Sequence, residues 1–110
     1  MNIYKENAKM PAVSPKLGKV LIKTTHSKDI NDALNKIFSE YLELKLKALE
    51  EVIEKFQKKW GMLFDDFKKH FKEKTLKEDT YSFSTENDFW EWEEAETLKK
   101  HYEEIKKQWT

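Results

Sequence analysis

An acidic-aromatic segment, residues 81–96, holds the side chains of this sequence that are best suited to bind another molecule. Its sixteen residues include five aromatic side chains and six carboxylates, and no lysine. Aromatic rings supply contact area and carboxylates supply negative charge, so the combination is suited to the basic groove of a partner protein. We expect the contact to be made by one stretch of this segment: Phe89, Trp90, Glu91, Trp92, Glu93 and Glu94.

A simpler interpretation of the same segment is that it forms an ordinary amphipathic helix. Phe89, Trp92 and Ala95 would then be its buried face, and the acids its solvated face. Trp90 lies beside Phe89 along the chain, and the helical period turns its ring in another direction. Both interpretations therefore stay open for Phe89 and Trp92, whereas Trp90 is the stronger candidate for an exposed contact.

Residues typical of catalysis are sparse in this sequence. No two of the three histidines, His26, His70 and His101, stand at a spacing typical of metal ligands on a helix. The chain has no cysteine, and we find neither a glycine-rich phosphate loop nor a nucleophile elbow. Acids such as Glu93 and Glu94 are more typical of a solvated helix face than of acid–base or metal chemistry. The sequence therefore predicts a non-enzymatic protein without a metal or cofactor, and the lack of cysteine fits the cytoplasm.

Charge is distributed unevenly along a chain whose net charge is zero. Residues 1–28 carry a net charge of +5, and residues 78–96 carry −8. This asymmetry indicates either two faces with different partners or one end of the chain folding onto the other. Lys16, Lys19 and Lys23 are candidate contacts to nucleic acid, and their binding would be weak and salt-sensitive. The abundance of Lys and Glu is also typical of a thermophile.

The length of 110 residues fits one modest domain. We predict a flexible arm over residues 1–15, interrupted by Pro11 and Pro15, and a single helical domain over 16–110. Residues 19–25 are short, apolar and β-branched, which predicts a strand. No apolar run approaches the roughly 18 residues of a membrane span, so we expect no membrane partner.

A long amphipathic helix is predicted over residues 29–60, because this range contains no Gly or Pro and its apolar residues recur every three or four positions. Gly61 supplies its stop. Two apolar stripes run along it, which favours wrapping by other helices or by a second subunit in a coiled-coil dimer. The stripe that we expect to form this dimer or scaffold surface contains Ile37, Tyr41, Leu44, Ala48 and Val52; the second contains Phe38, Leu42, Leu46, Leu49 and Ile53.

Two further helices complete the predicted fold, one short over residues 63–74 and one C-terminal over 86–109, with a polar loop at 75–85 between them. Thr85 and Asp88 have the spacing of a capping box at the start of the last helix. The fold class is thus mostly α: a short N-terminal strand, one long amphipathic helix, a short helix and a C-terminal helix. The buried line predicted for the last helix is Trp92, Ala95, Leu98, Tyr102, Ile105 and Trp109.

The order of these features resembles the small antitoxin-like proteins of archaeal and bacterial type II toxin–antitoxin systems. The likeness covers roughly residues 18–109. It rests on the strand Val20–Lys23, the helix ending Lys59-Trp-Gly-Met62, the Phe64-x-x-Phe67 pair and the acidic segment 86–95. One departure is Leu63, which stands where such a protein would have a small capping residue.

The resemblance implies an antitoxin that neutralises a ribonuclease toxin, often of the PIN or HEPN type, by covering its active site. It also implies a homodimer and autoregulation through DNA. Two alternatives remain open. The chain could be a structural helical module that associates with itself, or a small nucleic-acid-binding protein that uses its basic N-terminal arm.

Overall fold

The computed structural model describes residues 13–77 and 82–109, and within these ranges the chain is helical and contains no strand. Four helices are present there: α1 (Pro15–Thr25), α2 (Ile30–Trp60), α3 (Phe64–Glu73) and α4 (Phe83–Trp109). The prediction of a mostly α fold is confirmed. Most of the predicted arm, residues 1–12, lies outside the described residues.

The chain divides into two compact units, Met1–Glu40 and Tyr41–Thr110. In the first unit, the prediction of a strand at residues 19–25 was wrong, because these residues belong to α1. Ser14 caps this helix by accepting a hydrogen bond from the Leu17 N–H at 3.2 Å, and Pro15 occupies the first turn, where its missing N–H costs nothing. A short apolar run has too few residues for periodicity to separate strand from helix.

Carboxylates fix the start of α2 in the same unit. The Asp32 N–H donates to Asp29 Oδ1 at 2.8 Å, and the Asp32 carboxylate in turn accepts from the Lys28 N–H at 3.2 Å. The hydrogen bond from Lys28 lowers the pKa of Asp32, with a smaller contribution from the Lys36 ammonium. This reciprocal arrangement resembles a capping box and satisfies donors that the first turn leaves unpaired.

The second unit begins within α2, which ends at Trp60 as predicted. Gly61 follows with φ +67°, a backbone conformation that glycine adopts without steric cost. Helix α3 starts after Leu63, which makes no side-chain capping bond. The departure noted at Leu63 thus corresponds to an uncapped helix start.

Helix α4 begins three residues earlier than predicted. Its first turn is capped by Ser82, whose Oγ accepts from the Thr85 N–H at 3.1 Å and donates to Thr85 Oγ1 at 2.8 Å. The capping box predicted for Thr85 and Asp88 was therefore wrong. Thr85 is the third residue of the helix and is buried, and its hydroxyl is satisfied by Ser82.

The core of the second unit is an aromatic cluster that joins α2, α3 and α4. Rings from all three helices stack or tilt on one another at centroid distances of 4.5–6.5 Å, which are the arrangements that aromatic pairs prefer. Its buried members are Ile53, Phe56, Phe67, Phe89, Trp92 and Ala95. On α2 the second predicted stripe is the buried one, since Leu42, Leu46 and Ile53 have little exposed surface.

Candidate protein-binding site

Helix α4 presents two different faces because successive residues turn by about 100° around the axis. Its buried face contains Thr85, Asp88, Phe89, Trp92 and Ala95. The opposite face carries Phe83, Asn87, Trp90, Glu91 and Glu94, all of them exposed. The acidic-aromatic segment is therefore divided by the helix, and only part of it faces outward.

Trp92 is enclosed by the protein itself, with 0% of its surface exposed. Its ring lies 4.9 Å from Phe67, 5.3 Å from Phe64 and 5.6 Å from Phe56, measured between centroids. Phe89 stacks on Phe71 at 4.5 Å and is also buried. The simpler interpretation thus describes the position of these two rings, which offer almost no surface to a partner.

Trp90 has the opposite environment, with 63% of its surface exposed. Its ring meets Phe89 edge to face at a centroid distance of 5.4 Å and an angle of 88°. This contact joins the exposed indole to the aromatic cluster beneath it. Phe83, two helical turns earlier on the same face, is still more exposed at 84%. Together they form an apolar ridge along the outer side of α4.

Carboxylates flank this ridge. Glu91 accepts a hydrogen bond from Asn87 at 3.0 Å and lies 3.9 Å from the Lys55 ammonium. Glu94 is exposed and Glu93 half-buried, and neither forms an ion pair within residues 13–77 and 82–109. We call Phe83, Trp90, Glu91 and Glu94 the outer face of α4. Its negative charge is only partly neutralised by the chain itself.

Asp88 has a structural role that the sequence did not predict. Its carboxylate accepts a hydrogen bond from Trp60 Nε1 at 3.0 Å and pairs with the Lys59 ammonium. The residue is 7% exposed, and a carboxylate so deeply placed requires such partners. The helical spacing could have predicted this position. Asp88 is three residues after Thr85 and four before Trp92, so it lies on the same buried face of the helix.

The predicted dimer stripe on α2 is largely open. Tyr41, Leu44 and Ala48 are exposed, whereas Ile37 and Val52 are half-buried. A hydrogen bond with Tyr41 raises the pKa of the Tyr102 phenol. The carboxylate of Glu43 pairs with Lys106 and raises the pKa of that ammonium. The end of α4 is thus tied to α2 beside the stripe.

The candidate nucleic-acid residues Lys16, Lys19 and Lys23 are exposed on α1. Positions three and four residues apart share one side of a helix, so the three ammonium groups point in a similar direction. Beside them lie Leu17 and Val20, which are also exposed and would meet no partner on a phosphate backbone.

Residues 13–77 and 82–109 contain no group of three His, Asp or Glu side chains placed to hold a metal ion. In the same ranges, no helix combines the length and the apolarity needed to cross a bilayer. The outer face of α4 brings an exposed indole and exposed carboxylates together.

Comparison of the chain with protein-family models, with curated proteins and with solved structures gave no match.

Proposed function

We propose that this chain is a non-enzymatic binding protein that docks through the outer face of α4 onto a basic groove of a partner protein. The observation that carries the proposal is the exposure of Trp90 beside Glu91, whose pair with Lys55 is long and exposed, and Glu94, which forms no ion pair within the described residues. Large exposed aromatic residues are enriched at the energetic centres of interfaces. A negative rim around such an anchor selects a positively charged partner and speeds its encounter.

The support beneath Trp90 favours this role. The edge-to-face contact with Phe89 restricts the indole, and Phe89 is itself held by the aromatic cluster. An anchor that is already oriented loses less conformational entropy on binding, and this raises affinity. In this proposal Phe89 and Trp92 support the site, while Trp90, Glu91 and Glu94 contact the partner, with Glu93 at the edge.

The resemblance to antitoxin-like proteins specifies the partner as a ribonuclease toxin and the chain as its antitoxin. A ribonuclease binds a polyanion, so its active site must present positive charge. Carboxylates of the outer face would take the positions of phosphates, and the Trp90 ring would take that of a stacked base. Occlusion of the active site would then neutralise the toxin without any chemistry by this chain.

The test is co-expression with the product of the adjacent reading frame, followed by purification through a tag on this chain. We expect a small nuclease-like protein to co-purify and its ribonuclease activity to be suppressed. Trp90→Ala should release the partner and restore its activity, while the circular dichroism melting curve of this chain stays close to that of the wild type. Leu44→Ala is a matched control, because Leu44 is equally exposed at 62% but lies on α2.

A complex that survives both Trp90→Ala and the charge-reversing pair Glu91→Lys and Glu94→Lys would contradict docking through this face. If only Leu44→Ala abolishes the complex, the partner binds the stripe on α2 and not the outer face of α4.

Self-association through the α2 stripe is a second candidate function, favoured by the exposure of Tyr41, Leu44 and Ala48. Exposed apolar residues at helical spacing are typical of helix–helix interfaces. Light scattering on the purified chain should then give the mass of a dimer, and Leu44→Glu should shift it to the monomer. A monomer at all concentrations up to the millimolar range would end this candidate.

A further inference from the structure

A cleft of about 510 Å³ lies in the second unit, between the end of α2, the turn that follows it and the segment after α3. It does not include any residue of the outer face of α4. Its volume falls within the range of small-molecule sites, which are typically about 300–1,000 Å³. The described lining residues combine apolar side chains with a rim whose charged groups are all lysines.

The apolar walls are Trp60, Met62 and Leu76. Trp60 is held in place from two sides: its Nε1 donates to Asp88, and its ring packs on Phe67 at a centroid distance of 4.8 Å. Met62 can adapt its shape to a ligand, because its side chain is unbranched and polarizable. The Trp60 wall is therefore fixed and the Met62 wall can adjust, a combination that can accommodate the apolar part of a flat or branched ligand.

The rim is cationic. Among the described residues that line the cleft, the ammonium groups are those of Lys58, Lys59 and Lys77, and none of the side chains is a carboxylate. Lys58 pairs with Glu54 at 2.9 Å, and Lys59 pairs with Asp88. Lys77 makes no ion pair within the part of the chain that the structure describes. A ligand of complementary charge is an anion, and Lys77 is the cation best placed to meet it.

A hydrogen-bonding side chain completes the cleft. His70 Nδ1 is bonded to the Thr75 hydroxyl, and both residues line the cavity. With Nδ1 engaged, the other ring nitrogen has no partner among the described residues. It can therefore bond a polar atom of a bound molecule.

The end of α2 at the cleft limits how much negative charge a ligand can carry. Helix α2 ends at Trp60, which lines the cleft, and the partial negative charge of a helix C-terminus disfavours a multiply charged anion. Polyphosphates instead favour helix N-termini and glycine-rich loops. We infer that this cleft binds a small amphipathic organic monoanion, a carboxylate on an aromatic or branched apolar body.

Indole-3-acetate is a suitable probe, with tryptamine as its matched control because the ring is the same and an ammonium replaces the carboxylate. Titration of the ¹⁵N-labelled full chain with indole-3-acetate should give saturable amide shifts at Gly61, Met62 and Leu76. Tryptamine should bind at least about fivefold more weakly, the ratio expected from one exposed charge interaction of about 1 kcal/mol.

Lys77→Glu should weaken binding of indole-3-acetate by about tenfold, since it replaces an attraction with a repulsion. Lys69→Glu is the matched control: the same charge change on an exposed lysine of α3 outside the cleft should leave the affinity unchanged. Both lysines are exposed, and the amide spectrum of each variant reports whether it is folded. Shifts centred outside the cleft, equal binding of tryptamine, or equal effects of the two lysine variants would overturn the inference.

Discussion

Trp90 and Trp92 are two residues apart on one helix and belong to different regions of the molecule. Trp92 is enclosed by rings of α2 and α3, whereas Trp90 lies on the outer face of α4 beside carboxylates. Each side of the helix has a tryptophan, a phenylalanine and a carboxylate, so these residue types alone do not assign a role. Helical phase divides this one segment into a buried half and an exposed half.

The polar atoms of the buried region add a second contrast. Trp92 belongs to the core cluster and Trp60 packs against it, yet Trp60 Nε1 donates to Asp88 while Trp92 Nε1 has no hydrogen-bond partner among the described residues. An unpaired buried N–H carries a desolvation cost of about 1–3 kcal/mol. The apolar area that the Trp92 ring buries must offset this cost.

The largest expected effect comes from removing the buried indole. Trp92→Ala should lower the free energy of unfolding by about 3–5 kcal/mol, because it leaves a large cavity among packed rings. Trp90→Ala should cost less than about 1 kcal/mol, since it removes only an exposed ring and one edge-to-face contact. Denaturant titration measures both values. Similar losses for the two variants would erase the distinction between the two regions.

Trp92→Phe sharpens the same prediction. It should cost clearly less than Trp92→Ala, because a ring remains in the cluster and the unpaired N–H is removed.

A smaller effect is expected at Asp88, where the buried face of α4 becomes polar. Asp88→Ala should lower the free energy of unfolding by about 1–3 kcal/mol, since Trp60 Nε1 and the Lys59 ammonium lose their shared acceptor. Glu91→Ala is the control on the outer face and should cost less than about 0.5 kcal/mol, because its pair with Lys55 is exposed and long. A cost at Glu91 that matches the cost at Asp88 would place both acids in the same structural role.

The caps of α3 and α4 are the next positions to test, because these helices carry the aromatic cluster and the outer face. Ser82→Ala should destabilise the protein by about 1 kcal/mol through loss of the α4 cap. Leu63→Ser should have the opposite sign and stabilise it by about 0.5–1 kcal/mol, since α3 starts without a side-chain cap and Leu63 is exposed. Thermal unfolding of the two variants reports both signs. Destabilisation by Leu63→Ser would show that this leucine serves packing.

The smallest expected effect lies in the first unit, where Asp32 fixes the start of α2. Its pKa in the folded chain is lowered, so its contribution to stability is present above the ordinary value of 3.8 and is lost as the pH falls through the folded pKa. Carboxyl NMR titration should give a midpoint below 3.8. Lys36→Gln should leave most of the shift in place, because the backbone N–H of Lys28 is its main cause.

Several elements could be predicted from local signals. The boundaries of α2 follow from the lack of Gly and Pro over residues 29–60 and from Gly61 after them, and Ile30–Trp60 is the helix observed. The helical period also predicts that Trp92 and Ala95 are buried on one line of the last helix and that Trp90 points outward, as observed. The line then weakens: Leu98, Tyr102 and Ile105 are half-buried, and Trp109 is exposed.

Other features could not be predicted, because they depend on residues distant along the chain. Asp88 was assigned to a cap, yet its partners Lys59 and Trp60 are on α2. The cleft brings together residues 58–62 and 70–77, and no local motif relates these segments. The two stripes of α2 have similar composition, so the sequence could not tell which of them meets the aromatic cluster.

By itself, the sequence determined the helical content beyond α1, the bounds of α2 and the opposite directions of Trp90 and Trp92, since these depend on periodicity and on local breakers and caps. Only the tertiary structure decided that residues 19–25 are helical, that Leu42 and Leu46 are buried while Leu44 is exposed, and that Asp88 is an internal acceptor. The physical reason is that burial and polar pairing are properties of neighbours in space. Local sequence specifies which faces a helix has, and packing selects which of them meets water.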